Sequence, residues 1–221
     1  GHARTIVAAA DAAVVGLSRL ADGDDQLARI GYVQSATYRW IGVLAAAARQ
    51  AGVGLQLVAS PGLRQLEAIR SRQLDAGLIR LDSVQHDVTG LEHRTLAHDP
   101  LYAVVRDGDP VDTESITADD LRDRALILYP ETEGPGLRRL VQQWLNRTGR
   151  LKITDAWDAP SAVALAAAGT GIAVLPSPLP PLPANCRAVP LDRSPQLSLA
   201  VVWHPHRDAL TRRILDRLPE L

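Results

Sequence analysis

The spacing of apolar residues alternates between two periods along the chain, which predicts strands and helices in turn. Short apolar runs of strand length recur from residue 27 onward, and the segments between them place apolar residues three or four positions apart. Two strand–helix–strand units in succession indicate a parallel sheet. The first third of the chain is predicted to hold strands at 27–33, 55–59 and 74–79 and helices at 35–50 and 61–72.

The pattern becomes less regular after residue 90. Five prolines between residues 176 and 183 exclude regular structure there. A final helix is predicted from Leu210, Ile214 and Leu218, which are spaced four residues apart. The remaining predicted elements are strands at 91–97, 101–105, 125–129, 152–157, 172–175, 187–191 and 197–203 and helices at 118–122, 137–147 and 160–168.

These elements predict an α/β fold of two Rossmann-like lobes joined by two crossover segments. Lobe I is expected to comprise residues 26–98 plus 199–221, and lobe II residues 99–198. In such folds ligands bind in a cleft at the carboxyl ends of the strands. We therefore expect a cleft between the lobes.

The segment 3–21 has a pattern of its own, with apolar residues alternately three and four positions apart. This spacing forms the seam of a coiled coil. It predicts a linker or dimerisation helix, with an ordinary amphipathic helix packed on the domain as the alternative. The seam residues are Val7, Ala10, Val14, Leu17 and Ala21.

Composition limits the class of protein. Of the 221 residues, 46% are hydrophobic and 22% charged, as in ordinary globular chains, and no apolar stretch is long enough to span a membrane. A formal net charge of −1 argues against a nucleic-acid-binding domain, which carries a basic excess. Cys186 is the only cysteine, so an internal disulfide is excluded. The expected location is cytoplasmic.

The residue pattern gives no support for catalysis. Ser35 lies in the string Tyr-Val-Gln-Ser-Ala rather than in the G-x-S-x-G of a nucleophile elbow. The histidines lack the spacing of metal ligands, and the glycines at 169 and 171 lie too close together for a phosphate loop. We expect a binding protein with no enzyme activity, metal or cofactor.

Five segments resemble the effector-binding domain of LysR-type transcriptional regulators. Their order and spacing carry the resemblance, which covers about residues 26–221. It implies a type 2 periplasmic-binding-protein-like fold, a small organic acid as effector, and side-by-side dimers that form a tetramer at full length. The segments are Arg29-Ile-Gly-Tyr-Val-Gln-Ser-Ala-Thr-Tyr38, 74–80, 99–105, Leu126-Ile-Leu-Tyr-Pro130 and 168–176.

The resemblance also implies where the DNA-binding part lies and which type of effector the domain binds. In this family a winged helix-turn-helix precedes a linker helix, which the segment 3–21 fits, so the DNA-binding part is expected to be absent from this chain. The strings Gly31-Tyr-Val-Gln-Ser35 and Leu128-Tyr-Pro130 are most similar to regulators of aromatic-compound degradation. Those regulators respond to muconate or benzoate-like acids.

Candidate effector-binding residues follow the first two strands. Ser35 is expected at a helix N-terminus, where free N–H groups and the helix dipole suit a carboxylate; a plain N-cap is the alternative. The resemblance places Ser35, with Ala36 and Thr37, against the effector. Ser60 and Pro61 are expected as the N-cap and first residue of the second helix. Many family members have Thr or Ser where this chain has Gly62, so Ser60 or backbone N–H groups are expected to substitute.

The other candidates are Arg80 and two short segments of lobe II. Arg80 ends a strand and could pair with an effector carboxylate bidentately; a structural salt bridge to a nearby acid is the alternative. Tyr129, Pro130 and Thr132 follow one strand, and Ala159 and Pro160 open a helix, so both segments are expected to face the cleft. The alternative is that both segments form ordinary loop structure with no part in binding.

Two further functions remain open at this point. A solute-binding protein of a transporter has the same architecture, although the sequence shows no export signal. A small α/β enzyme is the third possibility, and the lack of an acid–base pair at usable spacing argues against it.

Overall fold

The computed structural model describes residues 27–84, 88–111, 114–146 and 151–219. The helix predicted over 3–21 lies outside the described residues. The chain forms two units. The first comprises the chain up to Arg80, Val84–Leu96 and the chain from Leu199 onward, and the second comprises Leu81–Ser83 and Ala97–Ser198.

The first unit is built on a five-stranded sheet in the order β2-β1-β3-β10-β4. β1 pairs in parallel with both β2 and β3, whereas β10 is antiparallel to β3. All five residues of β3 are buried, as expected for a strand in the middle of a sheet. The strands are β1 (Leu27–Tyr32), β2 (Gly54–Ala59), β3 (Ala76–Arg80), β4 (Glu92–Asp99) and β10 (Leu197–Trp203).

Three helices and one short turn accompany this sheet in the first unit, and a short fourth helix, Leu81–Val84, begins in residues of the second unit. α1 buries Trp40, Leu44 and three alanines and ends at Gly52, whose φ of 64° places it in the left-handed region that favours glycine. A 3₁₀ turn, Gln34–Ala36, follows β1. The helices are α1 (Trp40–Ala51), α2 (Gly62–Arg70), α3 (Leu81–Val84) and α7 (Ala209–Leu215).

The second unit has a five-stranded sheet in the order β7-β6-β8-β5-β9. β6 pairs in parallel with β7 and β8, and β5 is antiparallel to β8 and to β9. Each sheet thus has three parallel strands, followed by one strand that runs the opposite way. The elements are β5 (Leu101–Arg106), β6 (Leu126–Leu128), β7 (Ile153–Asp155), β8 (Ile172–Pro176), β9 (Cys186–Pro190), α4 (Ala118–Leu121), α5 (Pro135–Trp144) and α6 (Ala159–Ala167).

The predicted starts of two helices are wrong. Ser35 lies within the 3₁₀ turn and is no N-cap, because α1 begins only at Trp40. The second helix begins one residue later than predicted, so Pro61 is its N-cap and Ser60 lies outside it. The Ser35 hydroxyl instead contacts Arg80, a distant residue, and the carbonyl of Ser60 contacts the side chain of Gln65 on α2; both contacts are described below.

Candidate functional site

The carboxyl ends of β1, β2 and β3 lie at one edge of the first sheet. Val33 donates its N–H to Leu78 O, and Ser60 donates its N–H to Tyr32 O, both at 3.1 Å. The segments that follow these strands are therefore neighbours. This first strand-end edge contains seven candidates: Ser35, Ala36, Thr37, Ser60, Pro61, Gly62 and Arg80.

A hydrogen bond joins two of these candidates. Arg80 Nε donates to Ser35 Oγ at 3.0 Å, and both residues are buried, with 6% and 8% of their surface exposed. The sequence analysis named both residues without predicting this contact, since 45 positions separate them. Ser35 is therefore held by a cation at the end of β3. Its neighbour Ala36 is fully buried, and Thr37 is exposed.

The turn between β2 and α2 offers backbone groups rather than side chains. Ser60, Pro61 and Gly62 are half-buried. A Cβ added to Gly62 would lie 3.0 Å from Ile79 Cγ2 and 3.2 Å from Val84 Cγ1, so packing leaves little room for a larger residue there. Within the described residues no side chain caps the first turn of α2, and its N–H groups carry the positive end of the helix dipole.

The second sheet has a strand-end edge of its own. Ala156 donates its N–H to Leu128 O at 2.9 Å, so the segments after β6 and β7 are neighbours there. Tyr129 and Pro130 are buried, and Pro130 O accepts hydrogen bonds from Glu133 and Gly134 within a tight turn. Thr132 is exposed. Ala159 is buried, and Pro160 is exposed in the first turn of α6.

The N-terminus of α6 already has an anionic partner. The side chain of Asp158 accepts the N–H of Ser161 at 2.7 Å and is the N-cap of the helix. A second anion at this helix end would be repelled by that carboxylate. The sequence analysis missed Asp158, although aspartate three residues before a serine N–H, with proline between them, is a recognisable helix start. Next to it Trp157 is 66% exposed.

The described residues favour binding over covalent chemistry. Ser35 Oγ accepts from a guanidinium, which holds the hydroxyl but cannot remove its proton. Burial, followed by the charge of Asp107, raises the pKa of the Cys186 thiol, which lowers its reactivity. Within the described ranges no three histidine, cysteine or carboxylate residues are grouped to hold a metal ion. No helix in these ranges is long and apolar enough to cross a membrane.

Comparisons of sequence and of structure show which known proteins this chain is similar to. The transcriptional regulator IlvR of Caulobacter vibrioides is 29% identical over 226 residues, covering 98% of this chain and 75% of that protein. CatR of Pseudomonas putida is 28% identical over 164 residues, covering 72% of this chain and 55% of that protein. The effector binding domain of BenM, solved with its effector benzoate, matches with a TM-score of 0.75 at 22% identity, covering 88% of this chain and 90% of that one.

The family assignment comes from a match over most of the chain. The family model described as the LysR substrate binding domain matches residues 21–221. The likeness to the effector binding domain of BenM shows that the two domains share a fold. The chain belongs to the LysR substrate binding domain family.

Proposed function

We propose that this chain is the ligand-sensing domain of a transcriptional regulator and that it binds a small organic acid at the first strand-end edge. The observation that carries this proposal is the buried hydrogen bond between Arg80 and Ser35. A guanidinium donates up to five N–H bonds in a fixed, planar fork, and a carboxylate accepts two of them in parallel.

The surrounding residues also favour an anion. The uncapped first turn of α2 directs N–H groups outward from the same edge, and Ser60 places a hydroxyl beside it. Hydrogen bonds to a charged group contribute about 1.5–3 kcal/mol each. Three such contacts of about 3 kcal/mol each would reach the roughly 8 kcal/mol that corresponds to a micromolar Kd.

We propose an aromatic or aromatic-derived acid as the ligand. Ala36 and Leu78 are buried apolar residues of the same edge, and Val33 adjoins them at the end of β1. Benzoate is the effector of BenM, whose effector domain shares the fold. Contacts of the acid with Tyr129, Pro130, Thr132, Ala159 and Pro160 remain a prediction.

The test is calorimetric titration of the chain with benzoate and muconate, with benzamide as the uncharged control. We expect the acids to bind and benzamide to bind at least about tenfold more weakly, since it lacks the charge. Arg80→Met should weaken acid binding about ten- to a hundredfold, and Ser35→Ala should do so to a smaller extent. Arg193→Met, which changes an exposed arginine, is the matched control and should bind like the parent.

The outcome that sinks the proposal is acid binding that Arg80→Met leaves unchanged. Equal binding of benzoate and benzamide would also contradict it, because the charge of the ligand would then have no role.

DNA binding is proposed to reside outside the residues of this chain. The relatives are HTH-type transcriptional regulators, whereas this chain has a formal net charge of −1 and so lacks the basic excess that phosphates attract. We propose that the domain turns over no substrate and acts in the cytoplasm. Transport of solutes has no support among these relatives.

Self-association is proposed on the basis of one exposed sheet edge. β2 is the outermost strand of the first sheet, and Leu57 and Val58 on it are 36% and 37% exposed. An exposed apolar edge strand is a template for pairing with another chain. A second copy of this chain is the proposed partner, giving a dimer, with a tetramer at full length.

A further inference from the structure

Gln65 is a fully buried glutamine on α2 whose amide lies against the first sheet. Its Nε2 donates to Ser60 O at 2.7 Å, while its Oε1 has no hydrogen-bond partner among the described residues. Since a carbonyl oxygen can only accept, the contact with Ser60 O requires the nitrogen to be on that side of the amide. A buried oxygen without a donor lowers stability, so packing alone would favour an apolar residue here.

Two glycines make room for this amide. Gly31 on β1 and Gly77 on β3 are partners in the parallel register of the two strands. A Cβ added to Gly31 would lie 2.7 Å from Gln65 Oε1, and one added to Gly77 would lie 2.5 Å from the same atom. The amide therefore fits only because neither residue carries a side chain. The arrangement thus combines residues of three elements: Gln65 on α2, Gly31 on β1 and Gly77 on β3.

The hydrogen bond from Gln65 fixes the turn that begins α2. The N–H of Ser60 is held by Tyr32 O at 3.1 Å, and its carbonyl is held by Gln65 Nε2. One backbone group of Ser60 is thus fixed by the sheet and the other by a side chain. Since Gly62 has no side chain, the contacts of this turn with an acid depend on the direction of the Ser60 hydroxyl and of the N–H groups that follow.

We propose that Gln65 is a positioning residue of the acid-binding site, which orients the turn of residues 60–62 by holding the carbonyl of Ser60. The inference rests on the proposed function, because it assigns Gln65 a part in the binding of the acid at the first strand-end edge. Gln65 itself does not contact the ligand. Its loss should therefore change the order of the turn as well as the affinity for acid.

The test compares Gln65→Met with Leu66→Met in the whole chain. Met has nearly the length of Gln without its polar atoms, and Leu66 is an equally buried neighbour on the same helix. Hydrogen–deuterium exchange of residues 60–64 without ligand is the first measurement, and the Kd of benzoate is the second. We expect Gln65→Met to raise the exchange rate and the Kd about two- to tenfold, which is the effect of one net hydrogen bond. Leu66→Met should change neither the exchange rate nor the Kd.

A second variant tests the same arrangement with Gln65 in place. Gly77→Ala should displace the amide and raise exchange and Kd as Gln65→Met does. In a Gln65→Ala background the same glycine substitution should have a much smaller effect, because only the end of the Ile69 side chain, 3.2 Å from the added Cβ, then remains in tight contact. This pair keeps the inference testable if Gln65→Met does not fold.

Three results would overturn the inference. They are unchanged exchange in Gln65→Met, raised exchange with an unchanged Kd, and equal effects of Leu66→Met, which would indicate packing alone. If the parent chain binds no acid, the proposed function fails and this inference fails with it, and the parent chain alone reveals that outcome.

Discussion

His204 and His206 are two residues whose contact depends on protonation. His206 donates its N–H to Nδ1 of His204 at 3.1 Å, directly after β10, and this contact requires an unprotonated Nδ1. Burial, followed by the positive charges of Arg72 and His206, lowers the pKa of His204 below its ordinary value of 6.5. The folded chain therefore binds a proton at this ring less readily than the unfolded chain does.

The consequence is a loss of stability toward acid. A histidine with a lowered pKa contributes stability that is present above about pH 6.5 and is lost as pH falls through the lower, folded-state value. We expect the urea midpoint of the parent chain to fall between pH 7.5 and pH 5.5. His204→Asn retains an acceptor near the Nδ1 position and does not titrate, so its midpoint should fall less. Equal losses in the two proteins would show that His204 has no part in the effect.

Single residues also set the limit of what the sequence could predict about the site. Ser35 and Arg80 were recognised as candidates because each follows or ends a strand, which the apolar pattern reveals. Their hydrogen bond was not predicted, since it joins residues 45 positions apart. Gln65 was missed because glutamine on a helix is usually exposed. Its four-residue spacing from buried Ile69 was the available signal.

At the scale of elements, two glycines at helices have opposite surroundings. Gly42 is an exposed residue of α1, and a Cβ added to it meets nothing within 4 Å. Gly62 begins α2, where a Cβ would lie 3.0 Å from Ile79 and 3.2 Å from Val84. Glycine at position 42 lowers the stability of the helix only through its backbone entropy. At position 62 the neighbouring side chains leave little room for any residue other than glycine.

Substitutions at these glycines should change stability in opposite directions. Gly42→Ala should raise the free energy of unfolding by about 0.5–1 kcal/mol, because alanine restricts the unfolded chain and favours the helix. Gly62→Thr, which supplies the side chain common in the family, should lower it by about 1–3 kcal/mol through overpacking. Urea denaturation measures both. A stable Gly62→Thr variant would contradict the packing argument.

The predicted strands agree with the structure better than the predicted helix starts do. β3 and β8 are buried at every position, and such strands stand out as continuous apolar runs. Helix starts depend on which group satisfies the first N–H groups, and serine is only a common choice. Ser35 Oγ accepts instead from Arg80, 45 positions away, and the carbonyl of Ser60 accepts from the side chain of Gln65.

For the whole molecule, the two sheets differ in how their strands are distributed along the chain. Strands β5 to β9 all lie within residues 97–198. The first sheet instead receives β10 from the far end of the chain, and β10 lies between β3 and β4. The return of the chain to lobe I over residues 199–221 was predicted, but the place of β10 between β3 and β4 was not, because this pairing joins residues that lie far apart in sequence.

Isolated fragments of the chain should therefore differ in their ability to fold. We expect residues 97–198 alone to fold and to melt cooperatively, and residues 27–96 alone to remain unfolded, since the latter lack a central strand. Joining 27–96 to 197–219 through a short flexible linker should restore folding. The linker can be short because His98 Nδ1 lies 3.1 Å from Ser198 Oγ. Circular dichroism during heating is the measurement, and cooperative melting of 27–96 alone would refute the expectation.

The position of β10 has a further consequence for synthesis on the ribosome. β3, an apolar strand, leaves the ribosome with one edge unpaired. β10, the strand that pairs with this edge, is synthesised only after the whole second unit. At ~5–20 residues per second this delay is on the order of ten seconds. The second unit can fold during that time, whereas the nascent first sheet must be shielded from other chains. Chaperone demand in the cell should therefore come from the first unit, whose sheet is completed only after the second unit has been made.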